Sequence, residues 1–222
     1  MSDVESKIKK ARDLQKDFIA RTVKNDEDFF IVDWSSPKTE NLATRYILDI
    51  KNGALMINGD SGSCIAMWYN HIAPKDLKSC MCDEYYFISK IRTSTNIYSY
   101  SKEDVEEDIT DMEDNFINTF LEDNKSREGS TRYLAEEVLD IPYSKGMTVQ
   151  QLVHDEFEPV RDYFENACLT DNTEYPEEVC DVFSKFDANW KNDGGDHIGR
   201  RPSNRIYLWL TGYQMLCEQL GI

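Results

Sequence analysis

Gly59-Asp60-Ser61-Gly62 sets a hydroxyl between two glycines at the end of the apolar run Ala54–Asn58. A serine so placed is a candidate nucleophile. It attacks only if a histidine takes its proton and an acid orients that histidine. The histidines are His71, His154 and His197, and Asp193 and Asp196 lie near His197. Ser61 with His197 is the pairing that could offer hydrolase chemistry.

The order and spacing argue against it. Trypsin-like proteases place histidine and aspartate before the serine, whereas all three histidines here follow it. The GDSL esterases open on Gly-Asp-Ser but close on Asp-x-x-His, and Asp193 and Asp196 stand four and one residues before His197. They also need a parallel sheet, while tight turns between short strands here predict an antiparallel one. The alternative is a β-turn in which Asp60 accepts local amide hydrogen bonds and Gly59 and Gly62 relieve backbone strain. Gly59, Asp60 and Gly62 are read as a structural turn, and no catalytic residue is expected.

Two other clusters could hold a ligand. Cys80-Met81-Cys82, with Cys64 and His71 earlier in the chain, suggests zinc, but structural zinc sites use two closely spaced ligand pairs and only one pair is present. The cysteines read as reduced structural thiols, with no metal and no cofactor expected. The stretch Gly194-Gly195-Asp196-His197-Ile198-Gly199-Arg200-Arg201 could seat a phosphate at a helix start and serve a nucleotide-acting enzyme. Its other reading is a glycine-rich loop whose arginines answer nearby acids.

Charge is the strongest signal. The 222 residues carry 42 acids against 25 bases, a net of −17. Such a field repels nucleic acid and membrane surfaces and attracts basic proteins. Residues 7–24 run counter to it with a net of +5, and residues 101–123 concentrate ten acids against Lys102 alone. Carboxylates held along a rigid helix can stand in for a phosphate backbone and occupy a basic groove. Glu103, Asp104, Glu106, Glu107, Asp108, Asp111, Glu113 and Asp114 are the partner-binding candidates. The plain alternative is a solvated helix face.

These residues need positioning elements. Val4, Ile8, Ala11 and Phe18 predict a helix over 3–24. Strands are predicted at 28–34, 44–50, 54–58 and 63–70, with a hairpin turn at Lys51-Asn52-Gly53. Leu77, Met81, Tyr85, Ile88 and Ile91 mark one helix, and 93–100 is β-prone enough to add an edge strand. Ser101 caps the acidic helix, whose buried stripe is Val105, Ile109, Met112, Phe116 and Phe120. Further helices are expected near 131–140, 149–168 (interrupted at Pro159), 177–190 and 204–220. The fold class is α+β: an N-terminal helix, an antiparallel meander of about four strands, then a mostly helical half. Residues 1–100 would form the sheet region and 101–222 an acidic helical region packed on it as one compact unit. No apolar run near the N-terminus reads as a secretory signal, and none is long enough to span a membrane, so a soluble cytoplasmic protein is expected.

Arg45-Tyr46, Gly53-x-Leu55, Gly59-Asp60-x-Gly62 and Trp68 together resemble a strand-turn-strand signature of small acidic accessory proteins of tailed phages and prophages. The closing stretch "LWLTGYQMLCEQLGI" is similar to their last helix. The resemblance transfers no catalytic residue. By analogy with anti-CRISPR, anti-restriction and anti-Gabija proteins, it implies a non-enzymatic inhibitor that binds the basic groove of a host defence protein or ribonucleoprotein complex. Such a protein would act in the cytoplasm of the infected bacterial host. The other functions open at this point are a Ser61/His197 or Gly194–Arg201 enzyme and a phage structural or assembly protein.

Overall fold

Alternation builds the first layer. In Phe29–Ser35 every second residue (Phe30, Val32, Trp34) is buried, and Ala43–Asp49 (Tyr46, Leu48) and Ala54–Gly59 (Leu55, Ile57) follow the same rule. A period of two puts these side chains on one face of a sheet and their neighbours on the other. The computed structural model describes residues 3–38, 43–125, 127–169, 174–186 and 198–222. The chain divides into two compact units, residues 1–98 with 202–222 and residues 99–201.

Unit 1 begins with helix α1 (Asp3–Gln15), followed by strands β1 (Ile19–Asn25), β2 (Phe29–Ser35), β3 (Ala43–Asp49), β4 (Ala54–Gly59) and β5 (Gly62–Met67). Helices α2 (Pro74–Cys80) and α3 (Glu84–Lys90) lead into β6 (Ile91–Ser94), and α8 (Asn204–Leu220) returns from the far end of the chain. The strands form one antiparallel sheet in the order β1-β2-β3-β4-β5-β6. Its buried face packs with Ile206, Trp209, Leu210, Tyr213 and Leu216 of α8 in a single core.

A layer of buried hydrogen bonds sets the depth of α8. Tyr46 Oη donates to the Trp209 carbonyl at 2.9 Å, Gln15 Nε2 to the Leu208 carbonyl at 3.0 Å, and Trp34 Nε1 to Gln15 Oε1. Gly212 makes this approach possible. A methyl group there would sit 2.5 Å from Tyr46 Oη and 2.6 Å from Gln15 Oε1.

The sheet is larger than expected, six strands rather than about four, and the first helix is correspondingly shorter. The 3–24 helix stops at Gln15. Ile19, Thr22 and Val23 are β-branched and favour an edge strand; Ile19 and Thr22 pair with β2, and Val23 falls at a bulge between Thr22 and Lys24. Gln219 of α8 holds that edge: its side-chain amide accepts from Ala20 N at 3.1 Å and donates to the Phe18 carbonyl at 2.8 Å. The single helix expected across Leu77 to Ile91 is two. Asp83 caps a new start by accepting from Tyr86 N at 2.9 Å, and Ile91 belongs to the edge strand.

Unit 2 is helical, with α4 (Lys102–Asp123), α5 (Ser130–Tyr133) running into a π-helical turn at Leu134–Val138, α6 (Val149–Asn166) and α7 (Glu177–Phe186). Its separate core joins Val105, Ile109 and Phe120 of α4 to Phe157, Val160 and Phe164 of α6 and Val179 and Phe183 of α7. Thr148 opens α6 with a full capping box to Gln151. Pro159 does not interrupt this helix: it and Asp155, whose carbonyl loses its N–H partner, both lie on the exposed side of α6. Two short strands, β7 (Tyr98–Tyr100) and β8 (Arg200–Pro202), pair where the chain passes between the units.

Candidate functional site

Helix α4 holds its acids rigidly. Ser101 Oγ accepts from Asp104 N at 2.9 Å and its hydroxyl donates to Asp104 Oδ2 at 2.7 Å, closing the first turn. Below the acids, Val105, Ile109 and Phe120 are buried, with Met112 and Phe116 half-buried beside them. Twenty-two helical residues extend about 33 Å at 1.5 Å per residue.

The eight candidate carboxylates fall into three groups. Glu113 is buried, 8% exposed, and takes both terminal nitrogens of Arg161 at 2.8 and 3.0 Å. The Arg161 Nε binds Glu106 at 3.0 Å, and His154 Nδ1 lies 3.6 Å from Glu113. The hydrogen bonds to Glu113, and then those to Glu106, push the Arg161 guanidinium further up from its ordinary range, although burial acts the other way.

Asp104, Glu107 and Asp108 share Arg201. Its terminal nitrogens meet Asp108 at 2.7 and 3.0 Å, one of them also reaches Glu107 at 3.2 Å, and its Nε lies 3.5 Å from Asp104. Asp108 also accepts the Gly199 amide at 2.7 Å. Gly199 adopts φ +72°, and any side chain there would strike Val105. Arg201 is thus committed to α4. Of the Gly194–Arg201 stretch, Gly194, Gly195, Asp196 and His197 lie outside the described residues.

Glu103, Asp111 and Asp114 remain. All three are exposed, and among the described residues none has a cation within ion-pair distance. With Glu107 they follow an i, i+4, i+8, i+11 progression, which lines one face of a helix. Sequence reading found the density of acids but missed Arg161, whose only local signal is its standing as the lone base of α6.

The whole net charge sits in this unit. Unit 1 has 15 acidic and 15 basic residues, while unit 2 has 27 and 10, which accounts for the full −17.

Ser61 is placed as a structural acceptor. Gly59 pairs with Gly62 across the β4–β5 turn, and Trp209 Nε1 donates to Ser61 Oγ at 3.1 Å. Asp60 Oδ2 accepts from Ala43 N at 2.7 Å, tying the turn to β3. Gly62 has φ +102°, and a Cβ on Gly59 would collide with the Ala43 backbone. No histidine among the described residues is hydrogen-bonded to Ser61; His197 and Asp193 lie outside them.

Cys64 and Cys217 are buried, and burial pushes their thiols up to about 12 and about 11. Among the described residues, no group of three or more His, Cys, Asp and Glu side chains is arranged to hold a metal ion. No helix among them is long and apolar enough to cross a membrane. No family model, curated protein or solved structure matches this chain.

Proposed function

We propose that the chain is a non-enzymatic inhibitor that presents the solvent face of α4 to a basic, nucleic-acid-binding groove on another protein. One observation carries this reading: Glu103, Asp111 and Asp114, with no cation within ion-pair distance among the described residues, line one face of a rigid helix together with the Arg201-bound Glu107, in the unit that holds the entire −17 charge. Uncompensated carboxylates on a fixed scaffold attract a basic surface over a Debye length and dock without loss of chain entropy. On the resemblance to phage accessory proteins, the partner is a bacterial defence nuclease complex met in the cytoplasm of the infected host.

A complex of this kind dissociates in two ways. The immobilised chain should retain a host protein at about 0.1 M salt and release it as salt approaches 1 M, where the Debye length falls to about 3 Å. Duplex DNA added at the lower salt should also release it. Retention that is indifferent to both salt and DNA contradicts the proposal.

A further inference from the structure

Beside the free carboxylates runs a groove whose floor is aromatic. Met112 and Phe116 of α4 and Phe186 of α7 form the floor, and Asp108, Asp111, Asn115 and Thr119 line the rest of a cavity of about 420 Å³. The Phe116 and Phe186 rings meet edge to face at 4.7 Å, which fixes the floor. Asp111, Asn115 and Thr119 are exposed and spaced i, i+4, i+8, so they form a line of polar groups about 6 Å apart. Asp108 is already bound by Arg201 and the Gly199 amide, which leaves Asp111 as the one carboxylate of the groove without a counter-charge among the described residues.

We propose that this groove takes an arginine side chain of the basic partner, so that arginine rather than lysine anchors the complex. The proposal rests on the reading of α4 as the partner-binding face. An occupant must cover apolar and aromatic surface while bringing positive donors to Asp111, the Asn115 carbonyl oxygen and the Thr119 hydroxyl. A guanidinium does both: it is planar, weakly hydrated and able to stack on aromatic rings, and its fork of donors can meet a carboxylate through two hydrogen bonds. A lysine ammonium is a compact, strongly hydrated charge that would lose water over the phenylalanine floor without covering it. A neutral side chain leaves Asp111 unanswered, and an anionic one meets the field of the whole unit.

The test uses the full chain and two fluorescein-labelled probes, nona-arginine and nona-lysine. Anisotropy is read at about 0.3 M salt, where long-range attraction is largely screened. The arginine peptide should bind about fivefold tighter or more. Asn115→Trp, which fills the groove from an exposed position, and Asp111→Asn should each bring that ratio close to one. Glu103→Lys with Asp114→Lys, outside the groove, should weaken both peptides and leave the ratio unchanged.

A ratio near one in the native chain, or one that survives Asn115→Trp and Asp111→Asn in folded protein, overturns the arginine assignment. The α4 reading still stands in that case if the Glu103/Asp114 reversal weakens both peptides. If that reversal changes neither peptide's affinity, the α4 reading fails, and the arginine assignment that rests on it fails too.

Discussion

Arg201 grips Asp108 through both terminal nitrogens, at 2.7 and 3.0 Å, across 93 residues of sequence. Asp104 and Glu107 share the same guanidinium, so one side chain compensates three acids of α4. Arg201→Ala should lower stability by about 1–3 kcal/mol, because it leaves a half-buried carboxylate cluster without its donor. Arg201→Lys should recover only part of this loss, since lysine lacks the two-pronged geometry. Urea unfolding of the two variants checks the order.

Arg161→Ala should cost more, about 3–5 kcal/mol, because Glu113 is buried and would be left uncompensated. Replacing both partners, Arg161→Met with Glu113→Leu, should restore most of that stability while leaving the exposed acids intact. A double variant no more stable than Arg161→Ala would show that the pair is not the origin of the loss.

Ser61→Ala removes the acceptor of a fully buried tryptophan N–H. The expected cost is about 1 kcal/mol, the penalty for a donor left unsatisfied. A fluorophosphonate probe should not label Ser61. Labelling that disappears in His197→Ala would instead establish hydrolase chemistry.

Gly212→Ala provides a test of sign. In an exposed helix alanine stabilises by about 1 kcal/mol over glycine. In α8 the added methyl group would press on Tyr46 Oη and Gln15 Oε1, so the variant should melt lower than the native chain. A higher melting temperature would mean that α8 sits further from the sheet than described.

The legible part of the fold was local. The alternation of β2 to β5 survives because one sheet face is buried, and Ser101 and Thr148 announce their helices by the spacing of their caps. The β1 edge was not legible, because Val4, Ile8, Ala11 and Phe18 keep a helical period past the point where the helix ends. The residue that holds the edge, Gln219, comes from 199 positions away. The acidic helix was equally plain, yet the sorting of its carboxylates was hidden. Arg161 and Arg201 stand 48 and 93 residues from the acids they bind, and no local pattern reports such a pair.

The cysteines should divide by burial. Cys82 and Cys168 are exposed and should be alkylated by iodoacetamide at neutral pH, while Cys64 and Cys217 stay protonated and covered. Burial holds the folded-state values of Cys64 and Cys217 far above neutral, so raising the pH to about 9 should still leave this buried pair unmodified. Mass spectrometry of the native protein reads the pattern, and early labelling of Cys64 would contradict the packing of the sheet face.

The central claim is that exposed α4 carboxylates bind a basic groove. Its most direct test is the affinity of the partner protein retained from host lysate for the native chain and for Glu103→Lys, Asp111→Lys, Asp114→Lys combined. These positions carry no ion pair among the described residues, so the melting temperature should hold or rise slightly as self-repulsion falls. Affinity should drop by about tenfold or more, mainly through slower association, and DNA should no longer compete measurably for the residual binding. An unchanged affinity in a well-folded triple variant would contradict the account.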